Sequence, residues 1–287
     1  MKNISNTNIK KYFFLENAIV DGGLRKKGIV KTSDNKNPLV SIVTIVKNGQ
    51  QFLEQTIQSV IHQTYDNLEF IIVDGGSNDS TLDIINKYNH AIDYWSSAPD
   101  DGISDAFNKG VSLSSGQYIN FQGADDYLYN NSVISMMMQG INPKQDMLIC
   151  GRIQRVEKSG SKIQWITPSV FNKYSLLFRM SLPHQALFTN QTFFYQYGLF
   201  DKHIKLSMDY ELLLRAYKTF PKVVMKDLIV SCWREGGIGT NRTLEIFDEY
   251  NLIKHKNKVA PSFLLFMIHH YILLKYNIKS MLYKKNN

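Results

Sequence analysis

The sequence predicts an α/β fold, a mostly parallel central sheet flanked by helices. Three observations carry that expectation. Strands and helices alternate from Pro38 onward, and polar, glycine-bearing clusters follow consecutive strands. The 287 residues, 44% apolar and 20% charged, suit one substantial core or a main domain with a small appendage.

Residues 1 to 37 are a polar, Asn- and Lys-rich lead-in with no readable motif. Leu39 to Val46 is dense in β-branched residues and bounded by Asn48-Gly49, which predicts a buried strand. Phe52, Leu53, Ile57, Val60 and Ile61 recur at helical spacing, so a helix follows over 50 to 63. Leu68 to Val73 is the next strand and Ser80 to Tyr88 the next helix, which completes a βαβ opening. Further along, 91 to 95 reads as a short strand and 103 to 111 as a helix. Tyr118 to Phe121 is a strand running into Gly123-Ala124-Asp125-Asp126. A short helix over 131 to 138 and a strand over 147 to 150 come next. Residues 151 to 180 alternate irregularly and fit an extra hairpin or a loop. The spacing predicts a helix over 209 to 217, and Val223 to Val230 continues the sheet or forms its edge.

The net charge of +8 invites a nucleic-acid partner, but its distribution argues against one. No acidic residue follows Glu249, while Lys254, Lys256, Lys258, Lys275, Lys279, Lys284 and Lys285 do, so the rest of the chain is nearly neutral. The same tail holds the apolar run 262 to 274, too short and too broken by His269 and His270 to span a bilayer. Two readings of it stand: a helix on an anionic membrane surface, or a helix packed on the domain with a solvated lysine end. Cys150 and Cys232 have neither disulfide nor metal-ligand spacing, and no secretory signal is visible, which predicts a reducing compartment.

Asp125-Asp126 stands where an α/β sheet binds ligands, past the carboxyl end of a strand. Hard divalent ions take one or two carboxylates and complete their shell with substrate phosphates and water. Judged alone, such a pair is more often a solvated turn. Asp74-Gly75-Gly76-Ser77 also follows a strand, where Gly76 permits close backbone approach; a capped turn explains it equally well. Asn48 lies in the corresponding cluster after the first strand. Asp101, Asp105 and Lys109 recur every four residues, a shared helix face that a surface ion pair explains cheaply, or a group that balances phosphate charge. Asp209 opens a helix, where free backbone donors favour its charged form; it suits a general base only with offsetting desolvation. His184 and Gln185 follow Pro183, and Trp233-Arg234 begins a glycine-hinged loop extending to Ile238. Nothing local decides the roles of these four. No Gly-x-Gly-x-x-Gly or Gly-Lys-Ser/Thr phosphate loop follows the first strand.

The ordered set says more than its members. Pro38 to Thr44, Val73 to Thr81, Asp101 to Gly110, Gly116-Gln117-Tyr118 leading to Gly123 to Asp126, Pro183-His184-Gln185 and Ser207 to Arg215 together resemble the family 2 glycosyltransferases. These are inverting enzymes of the GT-A fold, and the likeness is to bacterial members of capsule, O-antigen and exopolysaccharide assembly. It covers residues 38 to 240, which leaves 1 to 37 as an N-terminal extension and 241 to 287 as a basic, partly apolar helical tail. The resemblance implies a nucleotide-diphospho-sugar donor and a saccharide or lipid-linked acceptor. It implies Mn²⁺ or Mg²⁺ on Asp126, with Asp125 on the ribose or donor sugar. Thr44, through its backbone, and Asp74 would contact the nucleoside, while Asp209 would take the acceptor's proton. It also implies a cytoplasmic protein, peripheral on the cytoplasmic face of the membrane, with acceptor specificity in 151 to 180. A sugar nucleotidyltransferase is a competing reading, but Lys47-Asn48-Gly49 is a poor match to its basic glycine loop. A catalytically inactive relative serving as a binding subunit is a third, against which the retention of all four aspartates argues.

Overall fold

The computed structural model describes residues 9, 11, 14 to 16, 18 to 33, 37 to 237 and 239 to 285. In chain order the first half holds β1 (Val20–Gly22), β2 (Val40–Val46), α1 (Leu53–Ile61), β3 (Leu68–Asp74), α2 (Thr81–Lys87), β4 (Tyr94–Ser97), α3 (Ile103–Leu113) and β5 (Tyr118–Gly123). Then come β6 (Tyr127–Leu128), α4 (Val133–Met138), β7 (Leu148–Val156), β8 (Lys162–Ile166), β9 (Leu187–Asn190) and α5 (Gln191–Tyr197). The chain closes with α6 (Met208–Arg215), β10 (Val223–Arg234), α7 (Thr243–Lys256) and α8 (Ser262–Lys285).

One sheet organises the molecule, in the order β1-β4-β3-β2-β5-β9-β7-β10-β6, with β8 paired to β7. Its centre is parallel, β4, β3, β2 and β5 running together, as do β7 and β10. The sheet is nonetheless mixed, because β9 runs antiparallel between β5 and β7. β9 is entered from a short turn at His184–Ala186 with no crossover helix before it, so it can oppose both neighbours. The irregular stretch after Cys150 does contain a hairpin, β7 with β8.

Residues alternate across the central strands and so build two cores. Val43, Ile71, Val73, Ile119 and Phe121 face one side with α3, α5 and α6. Ile42, Phe70, Ile72 and Tyr118 face the other with α1 and α4. Burial on both faces explains why β2 and β3 read as unbroken apolar runs. In α1, Leu53, Ile57 and Val60 are buried at four- and three-residue spacing, the stripe its sequence predicted.

Residues ahead of β2 join this body. β1 adds an antiparallel edge to β4, and buried Arg25 pairs with Glu69 at 2.5 Å and donates to the Leu113 carbonyl at 2.9 Å. At the other end α7 packs on α6, the rings of Tyr250 and Tyr210 lying 4.0 Å apart, and α8 packs on α7.

Candidate active site

Parallel pairing aligns the ends of β3, β2 and β5, so Asp74, the Lys47–Gly49 loop and the Asp125-Asp126 turn share one sheet edge. The turn is tightly held. Asp126 donates its N–H to the Gly123 carbonyl at 3.1 Å, and its own carbonyl accepts from Thr56 Oγ1 at 2.6 Å. Its carboxylate is buried and accepts from the Arg234 backbone N–H at 2.9 Å and from Gln185 Nε2 at 3.0 Å. Desolvation, with the adjacent Asp125 charge, pushes Asp126 up to about 7. Half-buried Asp125 is also raised, again mainly by desolvation.

Two adjacent desolvated carboxylates, one of them raised further by its neighbour's charge, are a donor set a hard cation would relieve. Among the described residues no three His, Cys, Asp or Glu side chains converge to hold a metal. The residues therefore fit an ion that takes one or two carboxylates here and its remaining ligands from substrate phosphates and water.

Arg234 accounts for much of the turn's rigidity. The structure carries β10 straight through Trp233 and Arg234, where a glycine-hinged loop was expected to begin; that loop starts only afterwards, and its Ile238 lies outside the described residues. The strand extends because it stays paired with β7 as far as Val156. The Arg234 guanidinium points inward, lying 4.2 Å from the Phe52 ring. It donates to the carbonyls of Asp125 (3.0 Å), Glu157 (3.2 Å) and Lys158 (2.7 Å) and to Gln55 Oε1 (2.7 Å). Trp233 is half-buried beneath the Arg155 guanidinium at 5.6 Å.

The nucleoside-side candidates are stitched to one another. Asp74 accepts from the backbone N–H groups of Gly76 and Ser77, from Ser77 Oγ, and from Ser97 Oγ at 2.5 Å. Gly76 takes a left-handed φ of 76°, which brings its N–H onto that carboxylate. Asn48, also left-handed at φ 55°, donates its N–H to Ser77 Oγ and accepts from the Asn78 N–H, locking the two loops together. Thr44 is not brought to the surface: it is fully buried within the ladder, level with Ile72 and Gln122, and its Oγ1 has no partner. Asp105 pairs with Lys109 at 2.9 Å and Lys202 at 2.5 Å and accepts from the Asp101 N–H, while Lys109 also donates to the Pro99 carbonyl. Those two lysines hold the Asp105 carboxyl below the usual carboxylate range despite its desolvation.

Asp209 opens α6 and accepts from the Tyr210 N–H at 2.7 Å. Desolvation raises it to about 6, with a smaller contribution from the Glu249 charge. It borders a cavity of about 10 Å³, room for one water, shared with His184, Phe121, Thr189, Phe200 and Leu212. His184 stacks on Phe121 with ring centroids 5.0 Å apart, and its Nε2 is buried without a partner; desolvation lowers it to about 4, so the ring is neutral. The His184–Ala186 turn therefore touches both acidic centres, Gln185 reaching Asp126 and His184 reaching the cavity beside Asp209.

Several supporting residues were not read from the sequence. Gln122 donates from Nε2 to Asn120 Oδ1 and the Gln185 carbonyl and accepts from Ser231 Oγ, a buried relay under the Asp-Asp turn. Polar residues at 120 and 122 in an otherwise apolar strand were a usable period-two signal.

Comparisons with known proteins agree with this geometry. The sequence model described as glycosyl transferase family 2 matches residues 41–204. An uncharacterized glycosyltransferase of Rickettsia typhi is 27% identical over 226 residues, 76% of this chain and 70% of its own length. The PGL/p-HBAD biosynthesis glycosyltransferase of Mycobacterium tuberculosis is 28% identical over 223 residues, covering 72% and 80%. The chain spans only 32% of a similar Rickettsia felis glycosyltransferase. Among solved structures, S. aureus TarS 1-349 in complex with UDP-GlcNAc superposes with a TM-score of 0.64 at 15% identity, covering 82% of this chain and 71% of that one. The mannosyltransferase PcManGT of Pyrobaculum calidifontis, in complex with GDP-Man and Mn²⁺, gives 0.60 at 13%, covering 87% and 74%. These likenesses share the GT-A architecture, and the chain belongs to glycosyl transferase family 2, whose members pass a sugar from a nucleotide-diphospho-sugar to an acceptor.

Proposed function

We propose that this chain transfers a sugar, with inversion, from a nucleotide-diphospho-sugar to a hydroxyl of a saccharide or lipid-linked acceptor in bacterial surface polysaccharide synthesis. The observation that carries this reading is the His184–Ala186 turn. It ties a carboxylate suited to the diphosphate end of a donor to a carboxylate suited to proton abstraction.

Asp126, with Asp125 beside it, would hold Mn²⁺ or Mg²⁺, which supplies charge neutralisation for the leaving diphosphate. Asp125 addresses the ribose or donor sugar, and the stitched Asn48 and Asp74–Ser77 loops border the nucleoside. Asp105 and Lys109 form the charged face at the end of α3 nearest this edge. At the acceptor, Asp209 receives the hydroxyl proton while that oxygen bonds to the anomeric carbon. The bond from that carbon to the diphosphate oxygen breaks on the opposite face, and the nucleoside diphosphate leaves with the electron pair. A carboxylate lifted to about 6 is still ionised at neutral pH yet basic enough to take a proton. The UDP-GlcNAc and GDP-Man bound in the TarS and PcManGT complexes support a nucleotide-sugar donor. Among the described residues no helix is long and apolar enough to cross a membrane; our reading is a cytoplasmic protein peripheral to the inner membrane surface.

The test is calorimetry of a panel of nucleotide sugars with and without Mn²⁺, beside transfer assays of Asp209→Asn. The variant should bind the donor normally and lose at least about 100-fold in turnover. Near-normal turnover would remove Asp209 from the role of base.

A further inference from the structure

α8 is apolar on two sides, and only one of them is covered. Leu265 and Ile268 are buried in the domain, whereas Phe263, Met267, Leu274 and Met281 are each at least 60% exposed. Their spacing of four, seven and seven residues keeps these four on one side of a helix of 24 residues, about 36 Å long. The apolar surface continues onto a second segment. Tyr271 meets exposed Phe178 edge-on at 6.3 Å, and Tyr174 and Val170, 61% and 81% exposed, lie just before it.

The two segments that form this surface carry charges of one sign, and the acid that reaches α8, Asp248 of α7, meets His269 on the helix's other side at 3.5 Å. From Lys158 to Phe200 the chain holds Lys158, Lys162, Lys173 and Arg179 and no Asp or Glu; from Tyr250 to Asn287 it holds seven lysines and no Asp or Glu. Lys275 is exposed at the border of the α8 stripe, and the Lys173 ammonium lies 5.7 Å from the Tyr174 ring. A large exposed apolar face whose own segments carry only cations matches an anionic lipid surface in both respects. Two copies packed through it would bring these like charges together.

We propose that α8 and residues 170 to 179 form a docking face for an anionic membrane. α8 lies in the plane of the interface, its Phe263, Met267 and Leu274 side chains at the acyl boundary, and Lys173, Arg179 and Lys275 meet the headgroups. The face is joined to the site through packed contacts. Lys254 of α7 donates to the Leu177 carbonyl at 3.2 Å, and Tyr210, stacked on Tyr250, donates to the Leu176 carbonyl. Asp209 directly precedes Tyr210, so docking is linked through these contacts to the residue proposed as the base. Only that consequence rests on the transferase reading; docking itself requires no turnover.

The experiment is flotation of the full chain with vesicles of phosphatidylcholine alone or mixed with phosphatidylglycerol. The protein should float with the mixed vesicles at low salt and remain behind with phosphatidylcholine alone. The double variant Met267→Glu/Leu274→Glu should not float, while its circular dichroism and calorimetric donor binding stay unchanged. Lys275→Gln should weaken binding to the mixed vesicles about fivefold. Equal flotation with both vesicle types, or persistent flotation of the double variant, overturns the proposal. A concentration-dependent dimer in sedimentation velocity that the double variant abolishes also overturns it, assigning the face to a second copy. Transfer activity failing while flotation succeeds would reject the enzymatic reading and leave the docking face in place.

Discussion

Replacing Asp126 by Asn should stabilise the metal-free protein, and by an amount that grows with pH. The folded protein holds this carboxyl up to about 7, against an ordinary value of 3.8, through burial and the neighbouring Asp125 charge. For an acid raised in this way, stability is intact below the unfolded value and is lost as pH climbs through the folded one. The cost is about 2 kcal/mol at pH 5.5 and about 4 kcal/mol at pH 8. Asn keeps an oxygen for the Arg234 N–H, and Gln185 can turn its own carbonyl toward the new amide, so the contacts survive while the charge is gone. Urea unfolding at both pH values should therefore show the gap between variant and wild type widening by about 2 kcal/mol. Taking the difference cancels other titrating groups, Asp209 and His184 included. Saturating Mn²⁺ should recover the wild type, by about 2.7 kcal/mol at one hundred times the Kd, and should do little for the variant. A gap that stays constant with pH, or a variant less stable than wild type at pH 8, would refute the assignment of a desolvated charge at this site.

Other expectations follow from the same geometry. Turnover at saturating donor should fall about tenfold per pH unit below about 6 as Asp209 takes up a proton; a profile flat down to pH 5 would contradict its role. Arg234→Ala strips the donors from three carbonyls and Gln55 in a buried setting and should cost about 3–5 kcal/mol, read as a lowered urea midpoint with an unchanged slope. His184→Phe keeps the stacking on Phe121 but removes a histidine held down near 4. Wild type should lose roughly 3 kcal/mol between pH 7 and pH 4 relative to this variant, because the unfolded imidazole charges first. A parallel pair of pH curves would count against the buried neutral ring.

Much of the fold was legible because local pattern and tertiary role coincide. β2, β3 and α1 carry the periodicities that their burial demands, and each strand of the parallel centre ends in the polar cluster that marks a ligand edge. β9 was not legible: four residues give no sign of direction, and its antiparallel course follows from the turn before it. The aspartates of the site were visible by position, but their partners were not. Gln185 and Arg234 reach Asp126 from 59 and 108 residues away, and no local signal ties either to that carboxylate. Thr44 shows the converse, since a strand residue in a motif can lie fully buried with its hydroxyl unpartnered.

The Arg234 guanidinium grips the tip of the β7–β8 hairpin entirely through backbone carbonyls, those of Glu157 and Lys158. Every amino acid carries that carbonyl, so the identities of residues 157 and 158 are not part of the bond. The tip's side chains, exposed at both positions, can therefore be exchanged without loosening the Asp125-Asp126 turn on the other side of the same arginine. The hairpin tip is in this way mechanically fastened to the turn and yet left free to drift in sequence. Grafting tips from other members of the family onto this hairpin should alter what the rim touches while the carboxylate pair behind it keeps its place.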